Sequence, residues 1–231
     1  MLAKKLKYIF EQFKHKGEFN SCEELASGHI NDTYIIKTKK KPYFILQRIN
    51  HGVFKNIPSL IANKVSVSIH IRKKMVHLSE KELKRRVLSF LLTKNADSFY
   101  HKDSDGNYWN MMIYIDNSIT FETVNNEEIA YEGGKLFGDF LNLTSDFDVS
   151  KLTEVIPKFH DMSFRYSQFK SALQSTTKER LYRAKLYIDC VTDLKEEMHI
   201  LQNLKESGEI KLRTTHNDTK ISNALFTKNN K

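Results

Sequence analysis

The stretch Thr215-His216-Asn217-Asp218-Thr219-Lys220-Ile221-Ser222-Asn223 places an aspartate two residues after a histidine and an asparagine five positions beyond that aspartate. Phosphoryl transfer to a hydroxyl needs two such groups close together: a carboxylate to orient and deprotonate the acceptor, and an amide carbonyl to help hold the magnesium ion that neutralises the phosphates. On this reading Asp218 is the base and Asn223 the metal ligand. The alternative is a polar turn before an edge strand. The sequence contains no HExxH, no Cys/His cluster at metal-binding spacing and no GxSxG, so zinc-hydrolase and serine-hydrolase chemistry have no motif behind them.

Other residues could serve the same chemistry. The backbone amides of the turn Ser27-Gly28-His29-Ile30-Asn31 could cradle a phosphate, although a single glycine also suits an ordinary hairpin. Arg48 closes the extended run Tyr43 to Ile49, and its guanidinium could hold phosphate oxygens in a bidentate way. It could equally be the outward residue of an alternating strand. A protein kinase pairs its strand cation with a glutamate on the following helix, but residues 51–79 contain no Asp or Glu, so that pair is missing or replaced. Met112 and Tyr114 fall where a strand would enter an inter-lobe hinge and could border an adenine ring. His160 and Asp161 could touch an acceptor hydroxyl or form a self-satisfied loop pair.

These groups need a scaffold, and 231 residues with 40% apolar side chains, three Pro and eight Gly supply one large domain or two small lobes rather than a disordered chain. No apolar run approaches the roughly 20 residues that span a bilayer, and no apolar stretch follows the basic N-terminus as a signal peptide would require. The cysteines, Cys22 and Cys190, have no paired spacing. They fit a reducing cytosol and read as core residues.

The net charge of +9 is concentrated: residues 36–102 carry sixteen basic and three acidic groups, whereas residues 103–231 carry sixteen and twenty. Lys39-Lys40-Lys41 sits at a turn and Lys84-Arg85-Arg86 precedes an apolar run. Solvated turns and strand ends are the plain reading, and a phosphate-binding or nucleic-acid-binding face is the rival.

Apolar periodicity predicts a first helix carrying Leu2, Leu6, Ile9, Phe10 and Phe13 and ending near Gly17, then strands at about 18–27, 33–38 and 43–49. A helix over 58–75, a strand over 87–92, a turn at 103–107 and a strand over 108–115 complete a five-stranded half. Helical stripes over 127–143 and 176–204 make the second half mainly helical, with aromatic and aliphatic residues expected as core. The fold class is therefore α+β in two lobes, 1–116 and 117–231, with a cleft between them as the natural ligand site.

The chain resembles the aminoglycoside phosphotransferase-like branch of the protein-kinase-like fold, and within it most closely the N-acetylhexosamine 1-kinases. The residues that carry the resemblance are Ser27 to Tyr34, Phe44 to Asn50 with His51 to Asn56 behind it, Phe159-His160-Asp161, and His216 to Phe226. It implies a nucleotide-phosphate loop at Ser27, Gly28, His29 and Asn31, a phosphate-contacting cation at Arg48, a catalytic base at Asp218 and a magnesium ligand at Asn223. It also implies ATP and Mg²⁺ as cofactors and a small-molecule sugar as acceptor, with choline, homoserine and aminoglycosides still open. Neither nucleic acid nor membrane is expected as a partner. Members of this family continue past the catalytic loop to a second magnesium-binding aspartate, whereas eight residues, none acidic, follow Asn223 here. The resemblance thus makes this a truncated kinase with impaired catalysis. A non-catalytic remnant and a nucleic-acid binder acting through residues 36–102 are the rivals.

Overall fold

Residues 2–25, 30–95 and 97–228 are described by the computed structural model. Its backbone divides into two compact units: residues 1–155 together with 213–231, and residues 156–212.

The first unit is built on a five-stranded antiparallel sheet. In chain order its strands are β1 (Phe19–Leu25), β2 (Asp32–Thr38), β3 (Phe44–Ile49), β4 (His101–Lys102) and β5 (Tyr108–Ile113), and across the sheet the order is β1-β2-β3-β5-β4. Strand alternation gives the sheet two distinct faces. On one, the first helix, α1 (Leu2–Phe10), lays Leu6, Ile9 and Phe10, followed by Phe13, onto Tyr34, Ile36, Phe44, Leu46, Trp109 and Met111, all buried. On the other, α2 (Ile57–Lys74) packs Ile57, Ile61 and Val65 against Ile49, with Phe90 and Tyr108 at the margin. Each such side chain contributes about 1.5–3 kcal/mol through removal from water.

The helix expected over 58–75 is α2. The Asn56 side chain caps it by accepting from the Ser59 amide, and Arg72, Lys73 and Lys74 occupy its last turn, where positive charge suits the helix dipole. The strand expected over 87–92 is not a strand of the sheet. Its backbone groups are shared between two neighbours: the Leu91 amide donates to Met111 and the Ser89 carbonyl accepts from Ile113, while the Leu92 carbonyl accepts from Lys14 and Lys94 donates to Gln12. The fifth strand is β4 instead.

A further helix, α3 (Glu80–Arg86), lies in this region. A reciprocal capping box between Ser79 and Glu82 opens it, so Lys84-Arg85-Arg86 forms a helix C-terminal turn rather than a strand end. Several basic groups of the 36–102 segment are paired at the surface: Lys37 with Glu23, Lys39 with Glu18, Lys41 with Asp116, Lys74 with Asp146, and both Arg72 and Lys84 with Glu80.

The helix expected over 127–143 is α4 (Glu127–Leu143), capped by Asn126. Two short strands, β6 (Ser118–Ile119) and β7 (Phe226–Thr227), pair with each other.

The second unit contains α5 (Met162–Ser175), α6 (Lys178–Asp193) and α7 (Lys195–Glu206). The single helical stripe expected over 176–204 is interrupted at Leu194, which ends α6 and opens α7. No residue of 156–212 is fully buried: of the stripe expected as core, Leu181, Ala184, Ile188, Val191 and Met198 are half-buried and Leu194 and Leu201 are exposed, while Tyr182, Leu186 and Tyr187 are exposed as well. Cys190 on α6 is also exposed, against the expectation of a core residue, while Cys22 on β1 is half-buried and burial pushes its thiol up.

The hairpin joining β4 to β5 depends on Asp103, which is buried. Its carboxylate accepts from the Trp109 indole at 2.9 Å, from the Asn107 amide at 2.8 Å and from the Asp105 amide at 3.0 Å, with Lys5 at 3.1 Å. Burial alone would raise its pKa, but the hydrogen bonds from Trp109 and Asn107, with Lys5, hold it well below the usual carboxylate range. Asp103→Ala should lower urea-unfolding stability by about 2–3 kcal/mol, because the Trp109 N–H is left buried without a partner. A depressed native pKa gives stability that is present above the unfolded value and lost as pH falls. The gap between wild type and variant should therefore narrow below about pH 4.

Candidate functional site

The loop 214–226 is laid along α4 and against β6. Ala224 and Phe226 are buried with Ile129 of α4, and Ile119, Phe121 and Ile221 close over them. Further back, His216 sits with its ring centroid 5.9 Å from that of Phe137 and 6.0 Å from that of Phe140, both on α4. The Arg213 guanidinium donates to the carbonyl of Leu141 at 3.3 Å. Asn217 takes a positive φ of 61°, a conformation asparagine tolerates, and the Thr215 hydroxyl donates to its side-chain oxygen.

Within this frame the sequence-predicted pair comes together. The Asn223 amide nitrogen donates to the Asp218 carboxylate Oδ2 and to the Asp218 carbonyl, each at 2.8 Å. A carboxylate has two oxygens, so this contact occupies one of them. The nitrogen end of the Asn223 amide makes both bonds, which leaves its Oδ1 on the opposite side. Both residues are exposed. The loop therefore presents a carboxylate held in place by an amide whose own oxygen is turned away from it. Among the described residues no group of three or more His, Cys, Asp or Glu side chains is arranged to hold a metal by itself.

Helix α4 approaches closely at Ile221, which lies between the two members of this pair. A Cβ built on Gly133 would stand 2.6 Å from the Ile221 Cδ1.

The remaining candidates are distributed as follows. Ser27, Gly28 and His29 lie outside the described residues. The Asn31 side-chain oxygen accepts from the Asn50 amide at 2.9 Å and ties the start of β2 to the end of β3. Arg48 stands opposite Asp32 on β2 and Trp109 on β5, and its Nε and Nη2 both hold the Asp32 carboxylate. Arg48 thus finds its carboxylate on the neighbouring strand. Met112 is buried in β5, and the Tyr114 amide donates to the Tyr43 carbonyl at 3.0 Å, extending the pairing past the start of β3 and the end of β5.

His160 and Asp161 belong to the second unit. Asp161 caps α5, accepting from the Phe164 amide at 2.7 Å, and His160 stacks edge-on against Phe159 at 4.8 Å. Three polar residues that the sequence reading passed over, Thr33, Gln47 and Asn110, form a row across β2, β3 and β5. Strand alternation puts Gln47 and Arg48 on opposite faces, and that was the available signal.

An antiparallel five-stranded sheet with two helices inserted after its third strand, followed by further helices, makes this an α+β fold. No family model matches the chain. Among solved structures it superposes on spectinomycin phosphotransferase APH(9)-Ia, determined in complex with ADP and spectinomycin, with a TM-score of 0.54 over 97% of this chain. Sequence identity is 11%, so the likeness is one of fold, and the chain spans 65% of that protein's length.

If Gly133 is what admits Ile221, Gly133→Val should cost about 1–3 kcal/mol in urea unfolding through overpacking. It should also shift the NMR signals of the Asn223 side-chain amide. Gly134→Ala, where nothing lies within 4 Å, should do neither and gain up to about 1 kcal/mol from helix propensity.

Proposed function

We propose that the chain carries the nucleotide-side lobe and catalytic loop of an ATP-dependent small-molecule kinase, acting in the cytosol on a sugar hydroxyl. The acceptor assigned in this reading is the anomeric hydroxyl of an N-acetylhexosamine. The observation that carries the reading is the Asp218–Asn223 pair, locked by hydrogen bonds of 2.8 Å on a loop anchored to α4. The fold it shares with a phosphotransferase that binds ADP and spectinomycin supports the same reading. Residues 1–116 would form the nucleotide-side lobe and residues 117–231 the lobe that carries the loop.

In this scheme Asp218 accepts the proton of the attacking hydroxyl while the Asn223 amide holds its carboxylate in place. Mg²⁺ takes one or two protein oxygens together with phosphates and waters, a donor set to which Asn223 Oδ1 would contribute one oxygen. When bound, the ion would neutralise the phosphate charge. The His216 ring, packed on Phe137 and Phe140, holds the loop backbone rather than the substrate.

ATP consumption should rise on addition of N-acetylglucosamine or N-acetylgalactosamine more than on addition of spectinomycin, choline or homoserine. Asp218→Asn should reduce that rate at least about a hundredfold, the range expected for loss of a general base. ATP consumption that survives Asp218→Asn would sink the mechanism.

A further inference from the structure

In kinases the strand cation that touches the nucleotide phosphates is braced by a glutamate on the helix covering the same sheet face. In this chain the two halves of that arrangement are not where the pattern puts them. Arg48 shares the α1 face with Leu46, Tyr34 and Trp109, and Asp32 holds it there. On the α2 face, its neighbour Gln47 is the β3 residue beneath the helix. Gln47 lies directly across from Thr33 on β2 and from Asn110 on β5. This polar row lies between two largely apolar ones, Ile35-Ile45-Met112 on one side and Ile49-Tyr108 on the other.

The row is organised and incomplete. The Gln47 amide donates to the Thr33 hydroxyl at 3.2 Å, which turns its Oε1 toward α2, where it accepts from the Lys64 Nζ at 3.3 Å. The Lys64 amine also stands 5.8 Å from the centroid of the Phe90 ring. Asn110 is wholly buried, and among the described residues neither its Nδ2 nor its Oδ1 has a hydrogen-bond partner. Buried amides are almost always paired, so one left with both ends open marks a place where something else belongs. Two hydrogens on the Lys64 ammonium and two on the Asn110 amide remain as donors, against one open acceptor, the Asn110 Oδ1, and this excess of donors with the ammonium charge suits an anion with several oxygens.

We propose that Lys64, aimed by Gln47, whose other neighbour in the row is the unpartnered Asn110, is the cation that receives the nucleotide's phosphate oxygens in this chain. The strand–helix contact is kept with its chemistry reversed: the helix supplies the cation and the strand supplies the neutral group that steers it. This rests on the kinase reading above. It also accounts for the lack of any acidic residue in 51–79, since a glutamate on α2 would compete with the phosphates for the same amine. Burial pushes the Lys64 amine down to about 8, the behaviour of a cation held away from water, and among the described residues no carboxylate pairs with it.

The test is calorimetric titration at pH 7 with Mg-ADP and, separately, with adenosine, on wild type, Lys64→Met, Lys64→Arg and Arg48→Met, each checked for folding by its thermal transition. Lys64→Met should weaken Mg-ADP about ten- to a hundredfold, the range expected for a charge-assisted contact, and leave adenosine unchanged. Lys64→Arg should recover part of the loss, which a purely structural role for the side chain would not produce. Equal Mg-ADP affinity of wild type and Lys64→Met overturns the proposal and leaves the kinase reading standing, as does a loss confined to Arg48→Met. Wild type that binds neither adenosine nor Mg-ADP overturns the kinase reading and this proposal with it.

Discussion

Strand β3 is bonded along both edges, to β2 and to β5, and this double pairing governs the chemistry available to the first unit. A strand with one free edge can slip in register. One held on both sides cannot, because a shift of a single residue would turn every side chain to the other face. The pairing therefore commits Phe44 and Leu46 to the α1 core and Ile45 and Ile49 to the α2 side. It fixes the two polar residues between Leu46 and Ile49 on opposite sides of the sheet. Arg48 falls where Asp32 can meet it, and Gln47 falls under α2. The apolar packing sets the register, and the register assigns the polar roles.

The catalytic-loop candidate is held differently, by a helix and a short ladder rather than by a sheet. Ala224 and Phe226 sink into the cluster around Ile129, and a bare helix backbone at Gly133 leaves room for Ile221. The polar pair stands just outside this apolar anchor, exposed, with its geometry set by an amide within the same loop. Rigidity comes from beneath while the pair itself stays open to solvent.

How much of this was legible in the sequence depended on whether a feature lay within one segment. Asp218 and Asn223 could be read as a pair because five positions of one loop separate them. The first three strands, α2 and α4 could be read because turn residues or apolar periodicity bound them. The row of Thr33, Gln47 and Asn110 with Lys64 could not, because it is assembled from three strands and a helix, and each member taken alone resembles a surface residue. For Arg48 the alternation showed only that it opposes Gln47. Which helix covers which face is decided by packing. The segment 87–92 has a strand's composition but divides its backbone bonds between two partners. Helix α3 announced itself with Ser79 and Glu82, yet its short, highly charged body gave no periodicity to weigh.

The pairing of β6 with β7 joins residues more than a hundred positions apart, with the three-helix unit strung between them. Bringing such distant segments together costs loop-closure entropy, rising by about 0.6 kcal/mol for each doubling of the intervening length. Helices α5, α6 and α7 form from local contacts and can do so early, shortening the effective loop before β7 arrives. The ladder that carries the catalytic-loop candidate is then among the last parts of the first unit to assemble. Assembly of the loop thus becomes a late checkpoint on folding: a chain arrested before β7 docks has its five-stranded sheet but no organised Asp218–Asn223 loop.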